Sequence, residues 1–153
     1  MSLNKDIDAA FLQAMKQKNE IELSVLRMLK SNVKNKAIAL IKKELDEVEM
    51  IAVIKSEMKK RKDSIEAYTP SGRQDLVDRE QAEITVLEKF LPAQIPADAL
   101  LPRVREIVAG LPEAERADFG KAMRAVMAQL KGSADGAAVS AAVKAVLAEQ
   151  NKN

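Results

Sequence analysis

The fold is decided by residues 58–72, which read MKKRKDSIEAY (58–68) and then TPSG (69–72). Apolar residues recur three or four positions apart up to Tyr68, provided that Arg61 takes one position in the series, and this is the spacing of one helix face. The proline and glycine that follow are typical of a turn and do not continue a helix. The sequence therefore predicts a long helix over 47–68 that ends in a tight turn.

A second helix is predicted after the turn, over 73–90. Its apolar residues repeat the same spacing if Glu80 is counted as a member of the series. Because the two helices flank a short turn, we expect an antiparallel helical hairpin. Arg61 and Glu80 lie at similar distances from the turn, so we predict an ion pair between them, which would set the register of the hairpin more than its stability.

Helices are also predicted on both sides of the hairpin. Two precede it, at 3–16 (with Ser2 as the N-cap) and at 20–43, and three shorter ones follow it, at 97–109, 118–130 and 135–149. The segment LPAQIP (91–96) carries two prolines and is the predicted domain boundary. The predicted fold is therefore all-α, with an N-terminal four-helix module at 1–92 and a small C-terminal three-helix module at 96–150.

The composition excludes most catalytic and metal chemistry. The 153 residues include no His and no Cys, which removes disulfides, thiolate metal sites and the commonest general base. There is no phosphate-binding glycine loop, no dinucleotide-binding glycine pattern and no nucleophile elbow. We therefore expect no catalytic residue, no cofactor and no metal, and leave open only a metal site built from carboxylates alone.

No segment has the pattern of an export signal or a membrane span. Residues 1–15 include the charged Lys5, Asp6 and Asp8, so they lack the continuous apolar region of a signal peptide. No stretch approaches the roughly 20 apolar residues that cross a bilayer. On this basis we predict a cytoplasmic protein without a membrane partner.

Basic residues recur along two predicted helix faces of the first module. The first face carries Arg27, Lys30 and Lys34, and the second carries Lys55, Lys59 and Lys62. Such rows can contact the phosphates of a nucleic acid, although two ordinary solvated faces remain the alternative. With only 3% aromatic residues, base stacking is not the expected mode. Recognition of structured RNA by its shape and backbone fits better.

The segment QLKGSADG (129–136) has two interpretations. Its glycines and lysine precede a predicted helix N-terminus, whose free N–H groups could hold an anion. Alternatively it is a plain turn, because the carboxylate of Asp135 would cap that N-terminus itself.

Six segments together resemble the YqeY family. They are LSVLRM (23–28), MKKRKDSIEAY (58–68), GRQDL (72–76), LEKFLP (87–92), FGKAM (119–123) and KGSADG (131–136). The downstream segments are also similar to the C-terminal tail of the GatB subunit of the glutamine-dependent tRNA amidotransferase. Pro70 and the Ala-rich last helix depart from the usual pattern. The resemblance implies a helical hairpin followed by a small three-helix module, and a tail that contacts the body of tRNA.

The function implied by the resemblance is that of a non-catalytic, tRNA-associated accessory protein without a cofactor. A carbon–nitrogen ligase activity with glutamine as amido donor would belong to the larger amidotransferase and not to this chain. The predicted phosphate contacts are Arg27, Lys30, Lys34, Lys55, Lys59, Lys62, Arg73, Lys121, Arg124 and Lys131.

Two alternatives to tRNA binding stay open. In the first, the second module docks on an aminoacyl-tRNA synthetase or an amidotransferase subunit. Its candidate docking residues are Met123, Val126, Met127 and Leu130, although core packing is a competing use for them. In the second, the chain is itself an amidotransferase-type enzyme, which the missing His, Cys and nucleotide motifs argue against.

Overall fold

The computed structural model describes residues 2–151, and over that range it contains eight helices and no strand. They are α1 (Leu3–Gln17), α2 (Glu20–Ala39), α3 (Glu47–Tyr68), α4 (Gln74–Glu88), α5 (Ala97–Ala109), α6 (Glu113–Arg116), α7 (Phe119–Leu130) and α8 (Gly136–Asn151). The all-α fold class is therefore confirmed. A frayed end is expected from the sequence at 151–153, of which Lys152 and Asn153 lie outside the described residues.

Polar side chains fix where the first three helices begin. Ser2, Asn19 and Asp46 each accept a hydrogen bond from the backbone N–H three residues further on, at 3.3, 3.1 and 2.8 Å. Such N-caps satisfy N–H groups that have no partner within the helix. The predicted N-cap at Ser2 is confirmed, and α3 has the bounds predicted from its apolar spacing.

Two helix assignments from the sequence are wrong. α2 ends at Ala39 instead of 43, because Ile41 adopts a left-handed φ of 56° and the N–H of Lys42 bonds back to the carbonyl of Ala37 at 2.9 Å. This is the 6→1 bond of a Schellman-type ending. The short helix α6 was not predicted, since four residues are too few to show a helical period, so four helices follow the linker instead of three.

The first compact unit ends at Leu91. α3 and α4 form the predicted hairpin, joined by a turn in which Gly72 has a φ of 72°, a conformation that glycine adopts without strain. α1 packs on α2, which in turn packs on both hairpin helices. The core is aliphatic, and its largest fully buried side chains are Ile7, Leu26, Leu29, Ile54, Ile84 and Leu87.

The second compact unit begins at Pro92. Valines dominate its core, which α5, α7 and α8 enclose. The linker is fixed to the loop before α8: the N–H of Ile95 donates to the carbonyl of Ser133 at 2.8 Å, and the Gln94 amide donates to the carbonyl of Gly132 at 3.1 Å. These bonds make the linker part of this unit.

Candidate nucleic-acid interface

The predicted basic face of α2 contains cations with and without a carboxylate partner. Arg27 and Lys34 are exposed, and neither side chain has a hydrogen bond or ion pair within residues 2–151. Lys30 instead faces α1, where its Nζ lies 2.7 Å from the Asp8 carboxylate and 4.9 Å from the ring centroid of Phe11. Two of the three cations are therefore available to a ligand.

The lysines of the basic face of α3 also differ in exposure and pairing. Lys62 is exposed and has no partner in the described part of the chain. Lys59 is exposed but lies 3.3 Å from the carboxylate of Asp63, one turn further along the helix. Lys55 is only partly exposed. Of this face, Lys62 is thus the cation that is both exposed and without a described partner.

Arg73, which precedes α4, is already paired with a carboxylate. Its Nε and Nη2 donate to the two oxygens of Asp75 at 3.1 and 3.0 Å. The hydrogen bond from Arg73 lowers the pKa of Asp75, so the pair stays ionised on both sides. A phosphate would have to compete with this bidentate contact.

The second unit presents its predicted cations near α7. Lys121 and Arg124 lie one turn apart, exposed and with side chains that have no described partner, and Lys131 is the left-handed C-cap with a φ of 48°. At the other end of α7, Asp118 accepts from the N–H groups of Gly120 and Lys121 and so caps the helix. Both interpretations of segment 129–136 stay predictions.

The predicted Arg61–Glu80 pair is wrong, because Arg61 binds a different carboxylate of α4. Its Nε donates to Glu83 at 2.9 Å, and its Nη1 donates to the side chain and the carbonyl oxygen of Glu57 at 2.9 and 3.0 Å. Arg61 is only 6% exposed. Its remaining nitrogen, Nη2, contacts the Sδ of Met28 at 3.5 Å.

Further polar contacts extend this buried cluster on both sides. Glu57 accepts from Asn32 of α2 at 2.6 Å and from Lys60 at 3.2 Å, and Arg79 lies 3.5 Å from Glu83. Burial by itself would raise the pKa of Glu57, but the hydrogen bonds from Arg61 and Lys60 outweigh it and lower that pKa. The cluster therefore joins α3 to α4 through ion pairs, and α2 to α3 through the neutral amide of Asn32.

Glu80 lies beside the cluster without joining its hydrogen bonds. Burial, followed by repulsion from Glu83, raises the pKa of Glu80. Its position in the apolar series gave no sign of this, since spacing along a helix does not distinguish a paired carboxylate from an unpaired one.

An open groove of about 690 Å³ follows the outer face of α2. It is lined by Glu20, Leu23, Ser24, Arg27, Met28, Ser31 and Asn32. We call it the α2 groove. Among the predicted phosphate contacts only Arg27 lines it, and the two serines were not singled out from the sequence because isolated serines carry no motif.

The apolar residues predicted as a docking surface on α7 belong mainly to the core. Val126 and Leu130 are buried, and Met123 and Met127 are partly buried against them. Three exposed large apolar side chains lie elsewhere, around the connection between α2 and α3. They are Ile38, Ile41 and Val48, with exposed fractions of 64, 94 and 56%.

The described residues form neither a cluster of metal ligands nor a membrane-spanning helix. Among residues 2–151, no three acidic side chains come together in a group that could hold a metal ion. Over the same residues, none of the helices has the length and apolar character needed to cross a bilayer.

The fold and the candidate site together define a two-unit, all-α protein with exposed basic helix faces and a buried ionic cluster in a helical hairpin. A family model described as "Yqey-like protein" matches residues 4–147. The chain therefore belongs to the YqeY family, which confirms the resemblance found in the sequence.

Curated relatives include yeast proteins named "Altered inheritance of mitochondria protein 41, mitochondrial". The protein of Lachancea thermotolerans is 36% identical over 95 residues, which is 62% of this chain and 48% of the relative. The Saccharomyces cerevisiae protein is 35% identical over 89 residues (58% and 48%), and that of Kluyveromyces lactis 34% over 105 residues (67% and 57%). The chain thus spans about half the length of these relatives.

The names of these relatives contradict the cytoplasmic location predicted from the sequence, and that prediction is wrong. The relatives are named as mitochondrial proteins. The prediction rested on the lack of a secretory signal and of a membrane span, and neither criterion distinguishes between compartments inside the cell.

Proposed function

We propose that the chain is a non-catalytic accessory protein that binds structured RNA, with tRNA as the expected ligand. The observation that carries the proposal is a set of exposed cations whose side chains have no partner in the described part of the chain. Among the predicted contacts they are Arg27, Lys34, Lys62, Lys121, Arg124 and Lys131. Three other predicted contacts, Lys30, Lys59 and Arg73, already have carboxylate partners.

The chemistry of the chain supports contact with phosphates over other modes. Lysine and arginine side chains that keep their hydrogen-bonding capacity can displace counterions from a nucleic-acid backbone. The sequence holds one Tyr, three Phe and no Trp, so stacking on unpaired bases has few candidate residues. Structured RNA is recognised largely through its shape and backbone, and tRNA is the structured RNA that the family resemblance implies.

A titration of the purified chain with tRNA at two salt concentrations tests the proposal, with a DNA duplex of similar length as the control ligand. We expect micromolar binding that prefers tRNA and weakens steeply with salt. The variant Lys34→Gln/Lys62→Gln should lower the salt slope by about two, since each lost phosphate contact removes about one. Equal affinity for tRNA and the duplex, or no binding to either, would contradict the proposal.

A matched variant separates available cations from paired ones. Lys30→Gln/Lys59→Gln removes the same charge from the same two helices, but each of these lysines already has a carboxylate partner. It should therefore change the salt slope less than Lys34→Gln/Lys62→Gln. An equal effect would show that net charge matters and that the individual positions do not.

A second candidate function is protein docking, and the exposed Ile38, Ile41 and Val48 favour it. Large apolar side chains gathered at one connection can mark a protein interface. The partner implied by the family resemblance is an aminoacyl-tRNA synthetase or an amidotransferase subunit. Sedimentation velocity of the chain with such a purified partner tests this, with Ile41→Asn as the variant, because asparagine tolerates the left-handed backbone at this position. If Ile41→Asn leaves complex formation unchanged, this surface is not the docking site.

A further inference from the structure

The α2 groove has a row of hydrogen-bond donors along its length. Ser24, Arg27 and Ser31 lie at positions i, i+3 and i+7 of one helix, so they share a face. The serine hydroxyls and the guanidinium have no hydrogen-bond partner within residues 2–151. The groove follows the helix from residue 20 to residue 32, which is about 18 Å at a rise of about 1.5 Å per residue. Three donor groups without internal acceptors therefore face solvent in one line.

A buried guanidinium contacts Met28, one of the residues that line the groove. Arg61 is 6% exposed, and its Nε and Nη1 are hydrogen-bonded to Glu83 and Glu57. Its Nη2 meets only the thioether of Met28, at 3.5 Å, among the described contacts. A thioether is a weak acceptor, so this edge of a buried cation is the least satisfied part of the cluster.

Met28 links the two features, because the side chain that contacts Arg61 Nη2 also lines the groove. It lines the groove and is 49% exposed. Methionine is flexible and changes rotamer readily. An anion that displaced the Met28 thioether would exchange a weak acceptor for a strong one, and it would gain a second guanidinium, that of Arg27, which precedes Met28 in the chain.

We propose that the α2 groove binds a backbone phosphate of the RNA, held by Arg27 on the surface and by Arg61 Nη2 behind Met28, with Ser24 and Ser31 donating to phosphate oxygens on either side. The inference rests on the proposed RNA-binding function and assigns it a specific site. Arginine and serine side chains are among the usual donors to phosphate oxygens, and Arg27, Ser24 and Ser31 supply both types along the groove. A single carboxylate from a protein would satisfy one guanidinium but would leave the row of hydroxyls unused.

A carboxylate introduced at position 28 tests the proposal, because it would compete with the phosphate for Arg61. In Met28→Glu the new carboxylate can reach Arg61 Nη2 and occupy the position of the phosphate. The matched control is Asn35→Glu, which adds the same charge to an exposed position of α2 outside the groove. We expect Met28→Glu to weaken tRNA binding about tenfold more than Asn35→Glu does, since a charge-assisted hydrogen bond is lost as well as a long-range attraction. Thermal unfolding followed by circular dichroism checks that both variants are folded.

A second pair of variants tests the surface cation, Arg27. Its result does not depend on the position that the new carboxylate of Met28→Glu adopts. Arg27→Gln should weaken tRNA binding about tenfold and lower the salt slope by about one, while Lys36→Gln, on the same helix but outside the groove, should have little effect. The proposal is supported only if the groove variant of each pair has the larger effect.

The outcomes distinguish this site from the general function. If the unmodified chain binds tRNA but the two variants of each pair behave alike, the groove assignment is overturned and RNA binding stands. If the unmodified chain binds no tRNA, both the groove assignment and the proposed RNA-binding function are overturned. If a poly-glutamate peptide binds the chain, and Met28→Glu abolishes that binding but leaves tRNA binding intact, the groove takes acidic protein segments and the RNA assignment is wrong.

Discussion

Arg61 of α3 and Glu83 of α4 meet across the hairpin, with 2.9 Å between Nε and Oε2. Glu57, one turn before Arg61 on α3, binds the Nη1 edge of the same guanidinium at 2.9 Å. Two carboxylates thus share one buried arginine, and each also contacts a more exposed cation, Lys60 or Arg79. The cluster thus connects the two helices of the hairpin through the pair of Arg61 with Glu83.

Removing Arg61 should destabilise the first unit strongly. Arg61→Ala leaves the buried Glu57 and the partly buried Glu83 without their shared partner, and breaking one side of a buried ion pair costs about 3–5 kcal/mol. Urea unfolding followed by circular dichroism measures the free energy of unfolding. Glu80→Ala is the matched control, since Glu80 makes no hydrogen bond in the cluster and should cost less. A loss below about 1 kcal/mol for Arg61→Ala would contradict this account of the hairpin.

Glu80 should make the chain less stable as the pH rises. Burial and the nearby Glu83 raise its pKa above the ordinary value of 4.5. The folded state therefore holds this proton more tightly than the unfolded state, and the stability that results is present below pH 4.5 and lost as the pH rises through the folded pKa. Glu80→Gln should consequently be more stable than the parent chain at about pH 7, with a smaller difference at about pH 4.

The pKa of Glu57 is shifted in the opposite direction to that of Glu80, so its effect on stability should change with pH in the opposite sense. Its pKa is lowered below 4.5, so its ionised form adds stability above pH 4.5 that is lost as the pH falls through the folded pKa. Urea unfolding of Glu57→Gln and Glu80→Gln at the two pH values should move their free energies of unfolding in opposite directions relative to the parent chain. Parallel changes in both variants would contradict these assignments.

The sequence predicted the hairpin well and its polar contacts only in part. The bounds of α3 followed from its apolar spacing and from the turn at 69–72, which are local features. The need of Arg61 for a carboxylate partner was also visible, but Glu80 and Glu83 lie one turn apart on the same helix. Choosing between them requires the geometry of the turn, which the spacing of residues along a helix does not contain.

The sequence predicted which residues form the candidate interface. It did not predict which of their side chains are already paired with a carboxylate. Lysines at helical spacing identified the basic faces of α2 and α3. Whether a given lysine is available depends on residues distant in sequence: Asp8 binds Lys30 from 22 positions away. The position of Arg61 behind Met28 joins residues 33 positions apart, so no local pattern could indicate it.

Lys30 should contribute to stability more than to RNA binding. Its contact with Asp8 and its position over the ring of Phe11 connect α2 to α1. Lys30→Ala should lower the free energy of unfolding by about 0.5–1.5 kcal/mol, the sum expected of an exposed ion pair and a cation–π contact. The exposed Lys34→Ala should change stability by less than about 0.5 kcal/mol. Thermal unfolding and tRNA titration of both variants should show opposite rankings, and the same ranking in both assays would contradict the distinction.

Ile41 should reduce the stability of the chain, because it occupies a position that favours glycine. Its φ of 56° is left-handed, and as a β-branched residue it is strained there. The side chain is 94% exposed, so little burial offsets this strain. Ile41→Gly should therefore raise the free energy of unfolding by up to about 1 kcal/mol, since relief of a strain of about 1–2 kcal/mol exceeds the added entropy of the unfolded chain.

Ile41→Asn controls for that entropy, because asparagine tolerates the left-handed region without the extra freedom of glycine. Both variants should unfold at higher urea concentration than the parent chain with an unchanged dependence on urea. Ile41→Ala is the contrasting variant: it shortens the side chain but remains strained at positive φ, so it should gain less. If Ile41→Ala were as stable as Ile41→Gly, the gain would come from removing exposed apolar surface and not from the backbone.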